Sequence, residues 1–244
     1  CAGEEIVIEE YLTGPEISVF AFVNEKYISE LVAACDYKKA YDGDLGPNTG
    51  GMGAYSPPKL EYWNDGIKSE VLNKIMRPVV DAMVSEKIKY TGILYAGLIL
   101  TNNGPMVLEF NCRLGDPEAQ VVLPRLNGDL LNILMQIVNQ KGSQLSFSWS
   151  EEECVGVVLT SNGYPGKYSK GYPIMGLEQQ NKDIMVFHAG TVWNQTSDSI
   201  VTDGGRVLTL VSMGKDRGLV RDQVYSYIDN ITFEGSTYRT DIGV

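Results

Sequence analysis

The densest chemistry lies in Glu109-Phe110-Asn111-Cys112-Arg113, at the end of a short apolar run. If this is a strand end, alternation puts Glu109, Asn111 and Arg113 on one face and Phe110 and Cys112 on the other. Same-face neighbours along a strand sit roughly 7 Å apart. A carboxylate and an amide oxygen so placed can approach one hard cation or a pair of them. Mg²⁺ takes a few such oxygens together with water and substrate phosphates. The nearby guanidinium can hold a phosphate or a carboxylate. The same residues would equally describe a polar strand end with an ordinary Glu–Arg pair.

A second constellation is Gly46-Pro47-Asn48-Thr49-Gly50-Gly51-Met52-Gly53, preceded by Asp36, Lys38, Lys39, Asp42 and Asp44. Glycines let a backbone approach a ligand closely, and successive amides can cradle an anion. A flexible linker is the plainer alternative, but linkers are bland Gly/Ser mixtures. Pro47, Met52 and Tyr55 imply specific packing instead. No Gly-Lys-Ser/Thr follows, so this is not a P-loop. The third constellation is Gly115-Asp116-Pro117-Glu118. Asp116 reads as a helix cap with Pro117 and Glu118 in the first turn. The functional alternative is a pair of carboxylates at a helix start just beyond the metal-type strand. His188 is the sole histidine, so no histidine metal cluster forms, and a structural role is expected of it.

The elements that would position these residues follow from pattern. Residues 6–12, 17–24 and 27–35 are β-branched or aromatic runs, punctuated by Gly14-Pro15 and Asn24-Glu25, and read as antiparallel strands. Residues 36–58 read as one long loop. Over 64–86, Ile67, Val71, Ile75, Val79 and Met83 form one apolar row and Leu72, Met76, Val80 and Val84 the next, which predicts a helix. Pro78 predicts a kink or break in it. Residues 93–100 and 106–111 flank Asn102-Asn103-Gly104 and predict a hairpin. Asp129 is placed to cap a helix running to about 140. Beyond a polar stretch at 141–153, strands are expected over 155–161, 184–188, 190–193 and 206–213, with a helix over 219–231.

The expected fold class is α+β. The expected organisation is 1–140 as one unit, 141–153 as a linker and 154–244 as a smaller α+β domain. The chain has 244 residues, 43% of them apolar, and a net charge of −11. Composition therefore allows a packed core, and the charge argues against nucleic acid or an anionic membrane as partner. It does not exclude ATP, whose phosphates are held by local amides, metals and cations. The scattered Cys1, Cys35, Cys112 and Cys154 suggest reduced thiols in a cytoplasmic protein rather than a disulfide framework or zinc knuckle.

These pieces fall in a family order. Ile8-Glu9-Glu10-Tyr11-Leu12-Thr13-Gly14-Pro15-Glu16 resembles the hinge segment of ATP-grasp enzymes. D-Y-K-K-A-Y-D-G-D-L-G-P-N-T-G-G-M-G-A-Y-S-P from Asp36 is similar to the signature of the phosphoribosylamine–glycine ligase (glycinamide ribonucleotide synthetase) family. L-Y-A-G-L, L-E-F-N-C-R-L-G-D-P-E-A-Q, N-G-Y-P-G-K-Y, V-F-H-A-G-T, T-D-G-G-R-V-L and Y-R-T-D-I-G extend the match over essentially the whole chain. The resemblance implies the C-terminal part of an ATP-grasp fold followed by the smaller domain. It implies a ligase of purine synthesis that joins glycine to 5-phosphoribosylamine through glycyl phosphate, converting ATP to ADP and phosphate. Glu109 and Asn111 would bind Mg²⁺ (or Mn²⁺). Glu9, Glu10 and Leu12 would lie at the adenine edge and Glu16 at the ribose hydroxyls. Arg113 would face the transferred phosphate. Asp36, Lys38, Asn48, Thr49, Gly50, Gly51, Met52 and Gly53 would hold the phosphoribosylamine side, and Asp116 and Glu118 would orient glycine or the amine.

The family usually carries Asp-His-Lys-Arg where this chain has Asp36-Tyr37-Lys38-Lys39, so no histidine can carry a proton there. An N-terminal segment of the same protein, with the nucleotide-binding lysines, is expected upstream, and these 244 residues alone are expected to be inactive. The rivals are another ATP-grasp ligase or carboxylase and a non-catalytic nucleotide-binding fragment.

Overall fold

A computed structural model of the chain describes residues 6–139, 146–179 and 181–244. The first regular element is β1 (Glu16–Asn24), which has a short antiparallel partner in β2 (Tyr27–Ile28). Ser29, whose hydroxyl accepts from Phe22 N, interrupts the run before β3 (Val32–Asp36), so the single strand expected over 27–35 is two. Next come β4 (Lys39–Tyr41), β5 (Leu45–Asn48) and β6 (Gly53–Ser56). The long loop expected over 36–58 is thus laced with strands: β4 pairs with β5, and β6 inserts between β3 and a later strand. The partners of β6 are remote, Tyr55 meeting Cys35 on one side and Val155 on the other, which a local reading of glycine and proline cannot register.

The helical segment divides into α1 (Asp65–Val71), a wide π turn (Leu72–Met76) and α2 (Arg77–Ser85). Asn64 caps it, its side chain accepting from Ile67 N. Pro78 lacks the N–H that would bond one turn back, and the widened turn before it absorbs that loss without a break. The hairpin of β7 (Thr91–Thr101) and β8 (Gly104–Asn111) follows as expected. Then come α3 (Ala119–Val122), β9 (Leu126–Asn127) and α4 (Leu130–Val138), the last capped by Asp129. Residue 140, the expected end of that helix, lies outside the described residues.

The remainder holds β10 (Ser148–Trp149), β11 (Glu153–Ser161), β12 (Met185–His188), β13 (Thr191–Asn194), β14 (Ser199–Thr202), β15 (Arg206–Gly214), α5 (Arg217–Ile228) and β16 (Ser236–Thr237). The main sheet runs β12-β15-β11-β6-β3-β1-β7-β8, with β2 and β16 beside β1 and β11. Every pairing in it is antiparallel. The class is α+β.

The division expected at 141–153 lies outside the described residues over 141–145. From either side of it, β11 and β6 pair directly, Cys154 against Ser56 and Val157 against Gly53. The C-terminal unit is therefore hydrogen-bonded into the sheet rather than only packed upon it. Buried Arg125 ties down the adjoining stretch, donating to the carbonyls of Ser150 and Glu152.

Apolar residues cover both faces of the sheet, which explains the near-continuous burial along β1. Ile17, Val19, Ala21 and Val23 join Val71, Ile75, Met76 and Val80 of the long helical segment, and Val220 and Val224 of α5. On the other face Phe20 packs with Val32, Ala34, Tyr95 and Val121, and Phe22 with Ile133 and Ile137 of α4. Residues 6–15 form no strand. Ile6, Val7, Ile8 and Tyr11 are each more than four-fifths exposed. Their β-branched composition meets no ladder partner among the described residues, and a strand without one is not stable.

Candidate functional site

A cleft of about 520 Å³ opens at the ends of β1, β3, β7 and β8, on the face that carries Phe20 and Tyr95. Register explains its floor. Ser18 pairs with Gly97 on β7, and Gly97 with Glu109 on β8, so three same-face positions run across the sheet. A Cβ on Gly97 would sit 3.2 Å from Glu109 Cγ, so glycine keeps the floor open at its centre. Glu16 stands at one edge; Asp36, Lys38, Lys39, Asp44 and Asn48 form the wall.

Glu109 and Asn111 share a face as the alternation predicts, Asn111 Nδ2 donating to Glu109 Oε1 at 2.8 Å. That bond leaves the second carboxylate oxygen and the amide oxygen for a cation. Two hard oxygens on an exposed strand end fit Mg²⁺, which prefers to keep waters and phosphate ligands. Among the described residues no three His, Cys, Asp or Glu side chains cluster as a metal cage.

Beside the floor, on the same face of the sheet, lies a buried polar group that sequence reading missed in part. Glu118, 3% exposed, accepts at Oε1 from Tyr95 OH (2.9 Å) and Ser18 Oγ (3.1 Å), which are themselves 2.7 Å apart. Asp36 pairs with Lys38 beside it. Burial pushes the Asp36 carboxyl above its ordinary range, and Lys38 pulls it back only partly. Burial likewise raises Glu118, and the negative charge of Asp36 raises it further. Burial disfavours the Lys38 ammonium, but the charge of Asp36 outweighs this and raises its pKa. Two carboxyls against one ammonium suit an arriving amine or a held proton. The available signal was Ser18, the lone hydroxyl of β1, set between Ile17 and Val19.

Of the residues expected to touch ligands, Glu16, Asp36, Lys38, Asn48 and Glu109 line this cleft. Glu9, Glu10 and Leu12 sit on the unpaired segment outside it. Arg113 lies past the end of β8, exposed, its guanidinium donating to Leu114 O at 2.9 Å. Asp116 does not cap a helix. α3 starts later, with Glu118 at its N-cap position, and Asp116 instead accepts from Gln120 Nε2 (2.9 Å) and Arg206 Nη2 (3.1 Å).

The glycine segment is occupied by protein rather than left bare for ligand. Thr49 Oγ1 donates to Lys38 O at 2.8 Å, Gly50 N to Tyr164 OH at 2.9 Å, and Arg206 Nη1 to Gly50 O at 2.6 Å. Met52 is core. Gly51, at φ +113°, lies so close to Pro117 that a Cβ would enter its ring, and Gly53 abuts Gly156 O. These glycines permit close packing of chain on chain. Arg206 had no local signal, because its partners lie about 90 and 156 residues away.

Tyr37 stands where the family pattern has histidine. Its hydroxyl accepts from Gly243 N at 3.0 Å and its ring lies against Tyr55. His188 is exposed and meets Thr191 Oγ1 at 3.0 Å. Cys35 and Cys154 are buried and unbridged, Cys112 exposed and unbridged. Among the described residues no helix is long and apolar enough to cross a membrane.

Two family models match the sequence: phosphoribosylglycinamide synthetase, ATP-grasp (A) domain, over residues 1–119, and phosphoribosylglycinamide synthetase, C domain, over residues 154–244. The chain is 46% identical over 242 residues to a phosphoribosylamine–glycine ligase of Halalkalibacterium halodurans, covering 99% of this chain and 55% of that protein. It is 44% identical over 245 residues to a trifunctional purine biosynthetic protein adenosine-3 of Gallus gallus, covering 99% of this chain and 24% of that protein. The crystal structure of a phosphoribosylamine–glycine ligase from Thermotoga maritima matches with a TM-score of 0.82 at 32% identity, over 96% of this chain and 56% of that one. A biotin carboxylase domain of a thermophilic 2-oxoglutarate carboxylase bound to ADP matches at a TM-score of 0.61 and 13% identity, over 93% of this chain and 48% of that one, a likeness of fold alone. The chain spans little more than half the length of the ligases it matches.

Proposed function

The chain belongs to the phosphoribosylglycinamide synthetase family, and on that premise we propose that it forms part of an ATP-dependent ligase joining glycine to 5-phosphoribosylamine, with glycyl phosphate as intermediate. The observation that carries this reading is the meeting of Glu16, Asp36, Lys38, Asn48 and Glu109 in one cleft from four strands and one turn. Glu109 and Asn111 would hold Mg²⁺ (or Mn²⁺), which when bound neutralises charge on nucleotide phosphates. Glu16 would accept from ribose hydroxyls of ATP. Lys38 and Asn48 would face the phosphoribosylamine, and the Glu118–Tyr95–Ser18 group, with Asp36, would orient an amine. Phosphoryl transfer depends mainly on position and charge, so a wall of this kind contributes by placing groups rather than by covalent chemistry. An upstream segment of the same protein would supply the facing wall and its lysines, and the division at 119–154 would mark two sequence modules that share one sheet.

The test is glycine- and phosphoribosylamine-dependent ADP release by the intact protein. Glu109→Ala should cut turnover by about a hundredfold or more, the scale of losing a group aimed at transition-state charge, without moving the thermal midpoint. Near-normal turnover of that variant at saturating Mg²⁺ would remove the metal assignment. ADP release that bicarbonate supports and glycine does not would replace the ligase reading with a carboxylase.

A further inference from the structure

The β4–β5 hairpin contributes Lys39, Asp44 and Asn48 to the cleft wall, yet it stands outside the main sheet as its own two-stranded ribbon. Two-stranded ribbons are marginal alone, and β5 is exposed along its length. What holds this one comes from the far end of the chain. Arg239 is 1% exposed. Its Nη1 donates to Lys39 O at 3.0 Å and to Asp44 Oδ1 at 2.9 Å. Its Nε and Nη2 grip Asp241 as a two-point fork, each at 2.7 Å. Asp241 Oδ2 also accepts from Gly43 N at 2.8 Å, in the turn between β4 and β5. Asp42 answers in the opposite direction: its carboxylate accepts from Thr240 N at 2.8 Å and from the Thr240 hydroxyl. The guanidinium also lies 4.9 Å from the centre of the Tyr37 ring.

We infer that residues 239–241 form a clasp that presets the hairpin as the phosphoribosylamine-side wall of the cleft, with Arg239 as a positioning residue. The inference rests on reading that cleft as the substrate site. Arg239 does not itself meet ligand in this arrangement, because it is buried and four of its five N–H groups are already committed to protein acceptors. The planar fork matters more than the charge. Lysine offers a point charge and cannot join two carboxylates and a carbonyl in one plane. A residue that merely stabilised the fold would lower all kinetic constants through the amount of folded protein. A residue that sets the hairpin should change the substrate that meets the hairpin and leave ATP alone.

The experiment is steady-state kinetics on the intact protein with Arg239→Lys and Asp42→Ala. Asp42 is exposed and does not line the cleft, so its removal loosens the clasp from outside without threatening the core. Both variants should raise the KM for phosphoribosylamine, Arg239→Lys by about tenfold, the scale of losing a charged hydrogen bond. The KM for ATP should hold within about twofold, inside the spread expected of a surface change remote from its site. Lys39→Ala and Asn48→Ala are measured in parallel to test the wall itself. If they raise the phosphoribosylamine KM while both clasp variants leave it unchanged, or shift the two KM values equally, the clasp is overturned and the site reading stands. If Lys39→Ala and Asn48→Ala change nothing, the site reading falls and the clasp with it.

Discussion

Residues 6–15 and residues 36–58 both reach the cleft, through Gly14 and Pro15 in one case and through Asp36, Lys38, Lys39, Asp44 and Asn48 in the other. They are held in opposite ways. The first is rich in β-branched residues and carries Ile6, Val7, Ile8 and Tyr11 into solvent; its first backbone tie to the sheet is Leu100 N to Pro15 O, at 2.9 Å. The second is rich in glycine and proline and is gripped by Tyr164, Arg206, Arg239 and Asp241. Order in a segment follows from the partners that reach it, and intrinsic preference comes second.

The sharpest way to break the contrast is to crowd the gripped segment. Gly51→Val forces a β-branched residue into a left-handed backbone and into the ring of Pro117. Strain and overpacking together should cost about 3 kcal/mol. Denaturant unfolding should show a lower midpoint at unchanged slope, and an unshifted midpoint would mean the segment yields as easily as residues 6–15.

A smaller effect should come from the charges at its base. Glu118 is held above its ordinary 4.5, by burial and then by Asp36. A carboxyl raised on folding binds more protons folded than unfolded, so it weakens the fold as pH climbs from its ordinary value through the raised one. Glu118→Gln removes that dependence. Stability of the variant relative to the parent should therefore improve as pH rises above 4.5, and parallel pH profiles would count against a strained floor. Asp241 has the opposite sign. Burial would raise it, but Arg239 and Gly43 N outweigh this and hold it down to about 2. Its contribution is complete above its ordinary 3.8 and fades as pH falls toward that value of about 2.

The smallest effect belongs to the unpaired segment. Ile8→Asp and Tyr11→Ser should each shift the unfolding free energy of this chain by no more than about 0.5 kcal/mol, as exposed substitutions do. A loss several times larger would show that residues 6–15 are packed in solution, and the comparison would collapse.

Sequence pattern carried what is local. The turn at Asn102-Asn103, the Asp129 cap and the shared face of Glu109 and Asn111 each depend on neighbours within a few positions. It failed where the deciding partner is far away. The hairpin inside 36–58 needs Arg239, β6 needs β11, and Asp116 is taken from its capping role by Arg206. Ser18 and Tyr95 take their meaning from Glu118, 100 and 23 residues away, whose carboxylate accepts from both. The π turn before Pro78 was half legible: proline announced a disturbance, and packing of Val71, Ile75, Met76 and Val80 against the sheet decided that it would be a widening.

The clasp joins residues 198 positions apart, Gly43 to Asp241 and Asp42 to Thr240. At a translation rate of about 5–20 residues per second, the acidic turn waits on the order of 10 to 40 s on the ribosome before its partner is made. Through that interval the strands nearest the cleft floor have emerged and can pair, while the hairpin above them has nothing to fasten it. One wall of the cleft is therefore the last part of the molecule to set, and a nascent chain stalled short of residue 239 would hold a folded sheet beneath an unfinished pocket.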